Sequence, residues 1–138
     1  MTLRRKSREF ALQLLYQWDL RGEDPALIEE SFWKGARATG ETRKFAHELF
    51  TGAVAAAPEI DKLITAHSAN WRIERMGAID RSLLRLGAYE LSFGTAPPSV
   101  VINEALELAK SFSDSDAPAF INGILDAIHK AFPAKASE

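Results

Sequence analysis

The sequence predicts an all-α protein, and three observations carry the prediction. Apolar residues recur at three- and four-residue spacing through almost the whole chain. No stretch alternates apolar and polar residues as a half-buried strand would. Gly, Pro and capping residues punctuate the pattern at intervals suited to helices of ordinary length.

Taken in order, Ala11, Leu14, Leu15 and Trp18 share one helical face, and the pattern stops at Gly22. Asp24 caps a second helix with Pro25 at its first position. Leu27, Ile28, Phe32 and Trp33 make its inward face. Thr39-Gly40 opens a third helix carrying Phe45, Leu49, Phe50 and Val54. Pro58 restarts the chain as a fourth, with Ile60, Leu63 and Ile64 inward. Asn70 caps a long fifth helix with Ile73, Met76, Ile79, Leu83, Leu86 and Leu91, ended by Gly94 and Pro97-Pro98. Ser99 caps a sixth, where Val101, Ala105, Leu108 and Phe112 fall on one side. The Ser113-Asp114-Ser115-Asp116 turn leads into a seventh, burying Phe120, Ile124 and Ile128. Asn122-Gly123 is a hairpin signal in isolation. Its flanks keep helical spacing, so Gly123 reads as a small residue permitting close helix approach. About seven helices on short loops form one compact bundle. The expected organisation is a single domain over 1–138, with helical halves at 1–57 and 58–138.

Composition narrows the chemistry. With 138 residues, 46% hydrophobic and 26% charged, the chain is long and apolar enough to bury a core. Cysteine is absent, which excludes disulfides, thiol nucleophiles and thiolate metal sites. The N-terminus imitates a signal peptide, but Gln13 interrupts its apolar run and no cleavage site follows. No apolar stretch approaches the ~20 residues that span a bilayer. A cytoplasmic protein with no membrane role is the expectation.

Catalytic and metal motifs fail on their spacing. His47-Glu48 begins like a zinc-protease helix, yet Thr51 stands where the second histidine is needed. His47, His67 and His129 share no ligand spacing. Asp114-Ser115-Asp116 starts like a calcium loop, then places Ala119 at the glycine position and Leu125 at the glutamate. The expectation is no enzyme, no metal and no cofactor.

Charge is distributed unevenly. The formal net charge is −2, but Arg4, Arg5, Lys6 and Arg8 precede all 19 acidic residues. Cations at a helix N-terminus oppose its dipole by about 0.3–1 kcal/mol each. Together with free N–H groups they make an anion site, and phosphate is the expected occupant. A disordered basic tail would give the same sequence. Arg4 and Arg8 lie one turn apart, as do Arg5 and Glu9. Tyr16 and Trp18 offer stacking surface or, more simply, core. Farther on, Arg72, Glu74, Arg75, Asp80, Arg81, Arg85 and Glu90 read as a solvated face with local ion pairs, or as a docking surface for a basic partner. Asp116 reads as a helix cap one turn from Phe120, or as an acceptor for base amino groups.

These pieces in order resemble the NusB family of bacterial transcription antitermination factors. The likeness rests on residues 4–16, Trp71 through Met76, 79–91, Val101-Ile102-Asn103-Glu104-Ala105 with Ala109-Lys110-Ser111-Phe112, and Phe120-Ile121-Asn122-Gly123-Ile124-Leu125-Asp126. Between Gly22 and about Ala57 only the helical pattern matches. The resemblance implies a non-enzymatic protein that binds boxA RNA in nascent ribosomal RNA transcripts. It implies partnership with NusE, a small-subunit ribosomal protein, and a wider complex with NusA, NusG and RNA polymerase. By position, Arg4, Arg5, Lys6 and Arg8 become RNA-binding candidates, with Asp116 and Phe120 near the same end of the fold. Glu74 and Asp80 match acidic positions on the NusE-facing surface. Asp80 is shorter than the glutamate of some relatives, and Ser7 replaces a frequent alanine. Phosphate would then relieve the strained helix end, which predicts a frayed first turn in free protein.

Two other readings belong to different classes. One is a helical protein-interaction module, including a homodimer, with secondary RNA binding. The other is the RNA-recognition domain of an rRNA cytosine methyltransferase, whose catalytic domain needs a cysteine and a methyl-donor site that these 138 residues lack.

Overall fold

Seven α-helices and one short 3-10 turn account for the secondary structure of residues 3–69 and 71–131, the part that the computed structural model describes. The helices are α1 (Leu3–Arg21), α2 (Pro25–Gly35), α3 (Gly40–Ala55), α4 (Ala57–His67), α5 (Ala78–Phe93), α6 (Pro98–Phe112) and α7 (Ala117–Ala131), and the turn is Ile73–Arg75. Among these residues there is no strand, and no helix is long and apolar enough to cross a membrane.

Local chemistry sets most of the boundaries. Gly22 closes α1 at φ 66°, a left-handed conformation that costs glycine little, and its N–H returns to the Trp18 carbonyl at 2.9 Å. The Asp24 carboxylate accepts from the Ala26 N–H at 3.3 Å, ahead of Pro25. Thr39 Oγ1 accepts from the Thr42 N–H at 3.3 Å and opens α3.

α5 is the central strut, touching α1, α3, α4, α6 and α7. Leu83 and Leu84 are fully buried, as are Leu12, Leu14 and Leu15 on α1 and Ile121, Leu125 and Ile128 on α7. Two glycines let neighbours come close. A Cβ on Gly87 would stand 2.8 Å from Leu125 Cδ1, and one on Gly52 would collide with the hydroxyl end of Tyr89. Alanine is the better helix former by about 1 kcal/mol. Overpacking costs about 1–3 kcal/mol, and here the whole Tyr89 ring has to move. Gly52→Ala is therefore expected to lower stability by about 1–2 kcal/mol in urea unfolding, whereas an unchanged midpoint would show that the ring yields freely.

The structure corrects several expectations. Gly123 is exposed with nothing within 4 Å of a built Cβ, so it admits no helix; the close approaches belong to Gly52 and Gly87. Leu27 is 57% exposed, because α2 turns Ile28, Phe32 and Trp33 inward, where Phe10, Phe32 and Trp33 pack edge to face at 4.9–5.7 Å. Phe112, in the last turn of α6, also faces solvent, and Phe120 is half-buried.

The long fifth helix is broken, and its expected cap, Asn70, lies outside the described residues. Ala69 takes a left-handed φ of 52°, and the Ser68 hydroxyl donates to the Trp71 carbonyl at 2.8 Å. Residues 71–77 then run through the 3-10 turn, and α5 starts after Gly77. Arg81 holds this segment by donating from Nη1 to the carbonyls of Ile73 at 3.1 Å and Met76 at 2.7 Å. α6 begins one residue before Ser99, since the fixed φ of Pro98 suits a first helical position.

Candidate nucleic-acid interface

The pairing of Arg8 with Glu90 and of Asp19 with Arg81 shows that α1 and α5 run antiparallel. The first turns of α1 therefore lie beside the last turn of α5, with α6 completing a wall. Between them is a cleft of about 620 Å³, lined by Arg4, Arg5, Arg8, Phe45, Tyr89 and Phe93 among others.

The four cations occupy quite different environments. Arg8 is only 4% exposed and grips Glu90 with two bonds, Nε to Oε2 at 2.7 Å and Nη2 to Oε1 at 2.9 Å. Its Nη1 also faces Glu104 at 3.9 Å. Arg5 reaches Glu104 with Nη2 at 2.6 Å, and the hydrogen bond and charge of that carboxylate bind the Arg5 proton more tightly than usual. Lys6 donates to Glu9 at 2.6 Å. Arg4 is exposed, lies 3.7 Å above the Phe45 ring, and has no carboxylate partner among the described residues.

Three of the four cations at this helix end are thus balanced inside the free protein, by Glu9, Glu90 and Glu104, before any phosphate arrives. The expected strain is missing because α5 and α6 supply the counter-charges, and the first turn of α1 from Leu3 is formed. Ser7 makes contacts that an alanine could not. Its buried hydroxyl lies between the carbonyls of Leu3, at 3.0 Å, and Thr42, at 2.9 Å, and joins α1 to α3.

The remaining candidates gather at the other end of α5. Ser113 donates to Asp80 at 2.6 Å, and Trp71 meets Phe120 edge to face at 5.5 Å. Glu74 is exposed on the 3-10 turn, and Trp71 beside it is 55% exposed. Asp114, not Asp116, caps α7: its Oδ1 accepts from the N–H groups of Asp116 and Ala117, both at 3.0 Å. The Asp116 side chain is left exposed. Asp116 and Phe120 therefore do not share an end with the basic cluster. From Asp80 to Glu90 is ten residues of helix, about 15 Å.

The charges of α5 are also not a solvated face. Arg81 and Arg85 share the Asp19 carboxylate, and Arg85 extends to Asp61 at 2.9 and 3.0 Å, so α1, α4 and α5 are tied together. Burial alone would raise the Asp19 carboxyl, but hydrogen bonds and charge from the two guanidinium groups outweigh it and hold the carboxyl below its usual range. Tyr16 and Trp18 are half-buried, and Trp18 packs on the core under Arg85. No group of His, Asp and Glu able to hold a metal ion occurs among the described residues.

Sequence reasoning missed the aromatic side of the cleft. Phe93, 57% exposed, stacks tilted on Tyr89 at 5.6 Å, and Val100 is exposed across from it. The signal was faint: Phe93 lies seven residues after the buried Leu86 and keeps its helical phase, and only its place directly before the helix-ending Gly94 sets it apart.

Comparison with known proteins agrees with this architecture. A profile described as the NusB family matches residues 5–130. The transcription antitermination protein NusB of Koribacter versatilis is 44% identical over 134 residues, covering 96% of this chain and 92% of the relative. That of Geobacter sulfurreducens is 45% identical over 137 residues, covering 98% and 99%. Among solved structures, T. maritima NusB superposes with a TM-score of 0.88 at 32% identity, covering 100% of this chain and 99% of that one. A crystal structure of antitermination factors NusB and NusE in complex with dsRNA matches with a TM-score of 0.85 at 36% identity, covering 95% and 98%. With the profile spanning nearly the whole chain and the relatives alike from end to end, this protein belongs to the NusB family.

Proposed function

We propose that this protein is a non-enzymatic transcription antitermination factor that binds boxA-type single-stranded RNA in nascent ribosomal RNA transcripts together with NusE. In this reading it acts in a wider assembly with NusA, NusG and RNA polymerase, in the cytoplasm. The observation that carries it is the cleft where three arginines meet three aromatic rings at the junction of α1, α3 and α5. Arginine with aromatic faces is the combination single-stranded RNA uses, for backbone charge and for base stacking. The related NusB found with NusE and dsRNA supports the choice of partners.

Roles follow from environment. Arg4 meets RNA directly. Lys6, partly exposed, reaches phosphate by exchanging it for Glu9, and Arg5 borders the bound RNA from its pair with Glu104. Arg8 positions the cleft from beneath. Asp116 and Phe120 make a second contact at the far end of α5, which a short run of extended strand spans. Glu74 and Asp80, the latter held by Ser113, form an acidic face for a basic stretch of NusE.

The test is fluorescence anisotropy of labelled boxA RNA against a scrambled RNA of equal composition, at several salt concentrations, with and without NusE. Arg4→Ala is expected to weaken boxA binding several-fold and to reduce the slope of log K against log salt by about 0.7, one phosphate's worth. Equal binding of both RNAs, unaffected by NusE, would reduce the cluster to a non-specific patch and overturn the reading.

A further inference from the structure

The charge balance of the cleft bears on what part of an RNA it receives. Its lining holds Arg4, Arg5 and Arg8 but also Glu48, Glu90 and Glu104. Arg5 and Arg8 are already turned onto Glu104 and Glu90, and Glu48 stands exposed at the rim with no ion-pair partner among the described residues. A phosphate placed here would meet three carboxylates as well as three guanidinium groups. An uncharged, flat ligand would not suffer that repulsion.

The walls favour such a ligand. Phe93 presents an exposed ring, Tyr89 backs it at 5.6 Å, and Phe45 lies opposite beneath the planar Arg4 guanidinium. Val100 and Ala96 extend the apolar surface. The volume, about 620 Å³, lies within the range of about 300–1,000 Å³ typical of small-molecule sites. A carboxylate free at the rim suits the exocyclic amino groups of bases, as acidic side chains accept from cytosine N4.

We propose that the cleft is a nucleobase pocket: one unpaired base of the bound RNA inserts against Phe93, with Glu48 accepting from its amino edge, while the phosphates run outside along Arg4 and Lys6. The inference rests on the RNA-binding reading above and specifies which part of the RNA enters the cleft. A base carrying an exocyclic amino group, cytosine, adenine or guanine, is preferred to uracil at this position. Neighbouring nucleotides are read, if at all, elsewhere.

Phe93→Ala is the informative variant, since the ring is exposed and its removal leaves the core intact; its melting temperature serves as the control. The probe is a short single-stranded boxA RNA and a set of derivatives, each abasic at one position. Stacking of one base on an aromatic ring corresponds to about 5- to 150-fold in affinity. Phe93→Ala is expected to lose a factor in that range with the salt slope unchanged. One abasic RNA is expected to lose a similar factor against the natural protein and almost none against the variant. Glu48→Gln is expected to narrow the preference for an amino-bearing base at that same position. Unaltered affinity in Phe93→Ala, an equal loss for every abasic RNA, or a changed salt slope would overturn the pocket while leaving RNA binding standing. Failure of the natural protein to bind any of the RNAs would overturn both readings.

Discussion

Replacing Arg8 by alanine is expected to lower the melting temperature by about 10–20 °C. Arg8 and Glu90 are both almost completely buried, and their two bonds link α1 to the C-terminal turn of α5. Removing one partner of such a pair breaks both bonds and leaves the other charge poorly compensated in a site almost closed to water, at a cost of about 3–5 kcal/mol. In a chain of this length each kcal/mol moves the transition by about 3–4 °C. Glu90→Gln should act in the same direction. The double change Arg8→Met with Glu90→Leu should recover most of the loss, because neither charge of the buried pair then remains to be compensated. Thermal melts of the three variants check this, and single variants within about 1 kcal/mol of the natural protein would show the pair to be dispensable. The result bears on RNA work too, since binding lost in Arg8→Ala would report a disturbed fold. Arg4 is the residue whose removal leaves the scaffold alone.

The second large effect is expected at the opposite end of α5. Asp19 receives both Arg81 and Arg85, so Asp19→Asn leaves two guanidinium groups facing a neutral amide. Because Arg85 keeps Asp61 and Arg81 keeps two carbonyls, a loss of about 2–3 kcal/mol is expected at neutral pH. Its pH dependence has a definite sign. The folded carboxyl is held below its unfolded value, so its contribution is complete above about pH 4 and disappears as the pH falls through the folded value. Urea unfolding at pH 7 and near pH 3 should therefore show a wide gap between the natural protein and the variant that narrows in acid. A gap of constant width would assign the loss to packing and not to charge.

The helices announced themselves wherever punctuation and periodicity agreed. Asp24 with Pro25, Thr39 with Gly40, and Gly22 all act as their residue types suggest. The break before α5 was hidden because Ile73, Met76 and Ile79 fit a continuous helix as well as a 3-10 turn followed by a new start. What decides it is tertiary: Arg81 reaches back to two carbonyls that a continuous helix would have used internally.

The candidate site was only half legible for a related reason. Cations near the N-terminus can be counted in a sequence, whereas their neutralisation cannot. Glu90 and Glu104 lie 82 and 99 residues from the arginines that they hold. Asp116 was misplaced by the same ignorance of distance, since nothing local indicates that α7 begins at the far end of α5. The segments that carried the family resemblance placed the chain correctly without resolving any of this geometry.

Internal neutralisation also bears on how the protein searches a cell. A cytoplasm is crowded with folded ribosomal RNA and DNA, and a naked cluster of arginines would be sequestered by all of it. Here most of that positive charge is answered by the molecule's own carboxylates, and the net charge is −2. Weak long-range attraction leaves encounter rates near those of uncharged partners, about 10⁵–10⁶ M⁻¹s⁻¹. Under the proposed reading such a protein gains occupancy by being brought to its target, through a partner that fixes a high effective concentration beside the emerging transcript. Low attraction for bystander polyanions and dependence on a tether are then two results of the same buried glutamates.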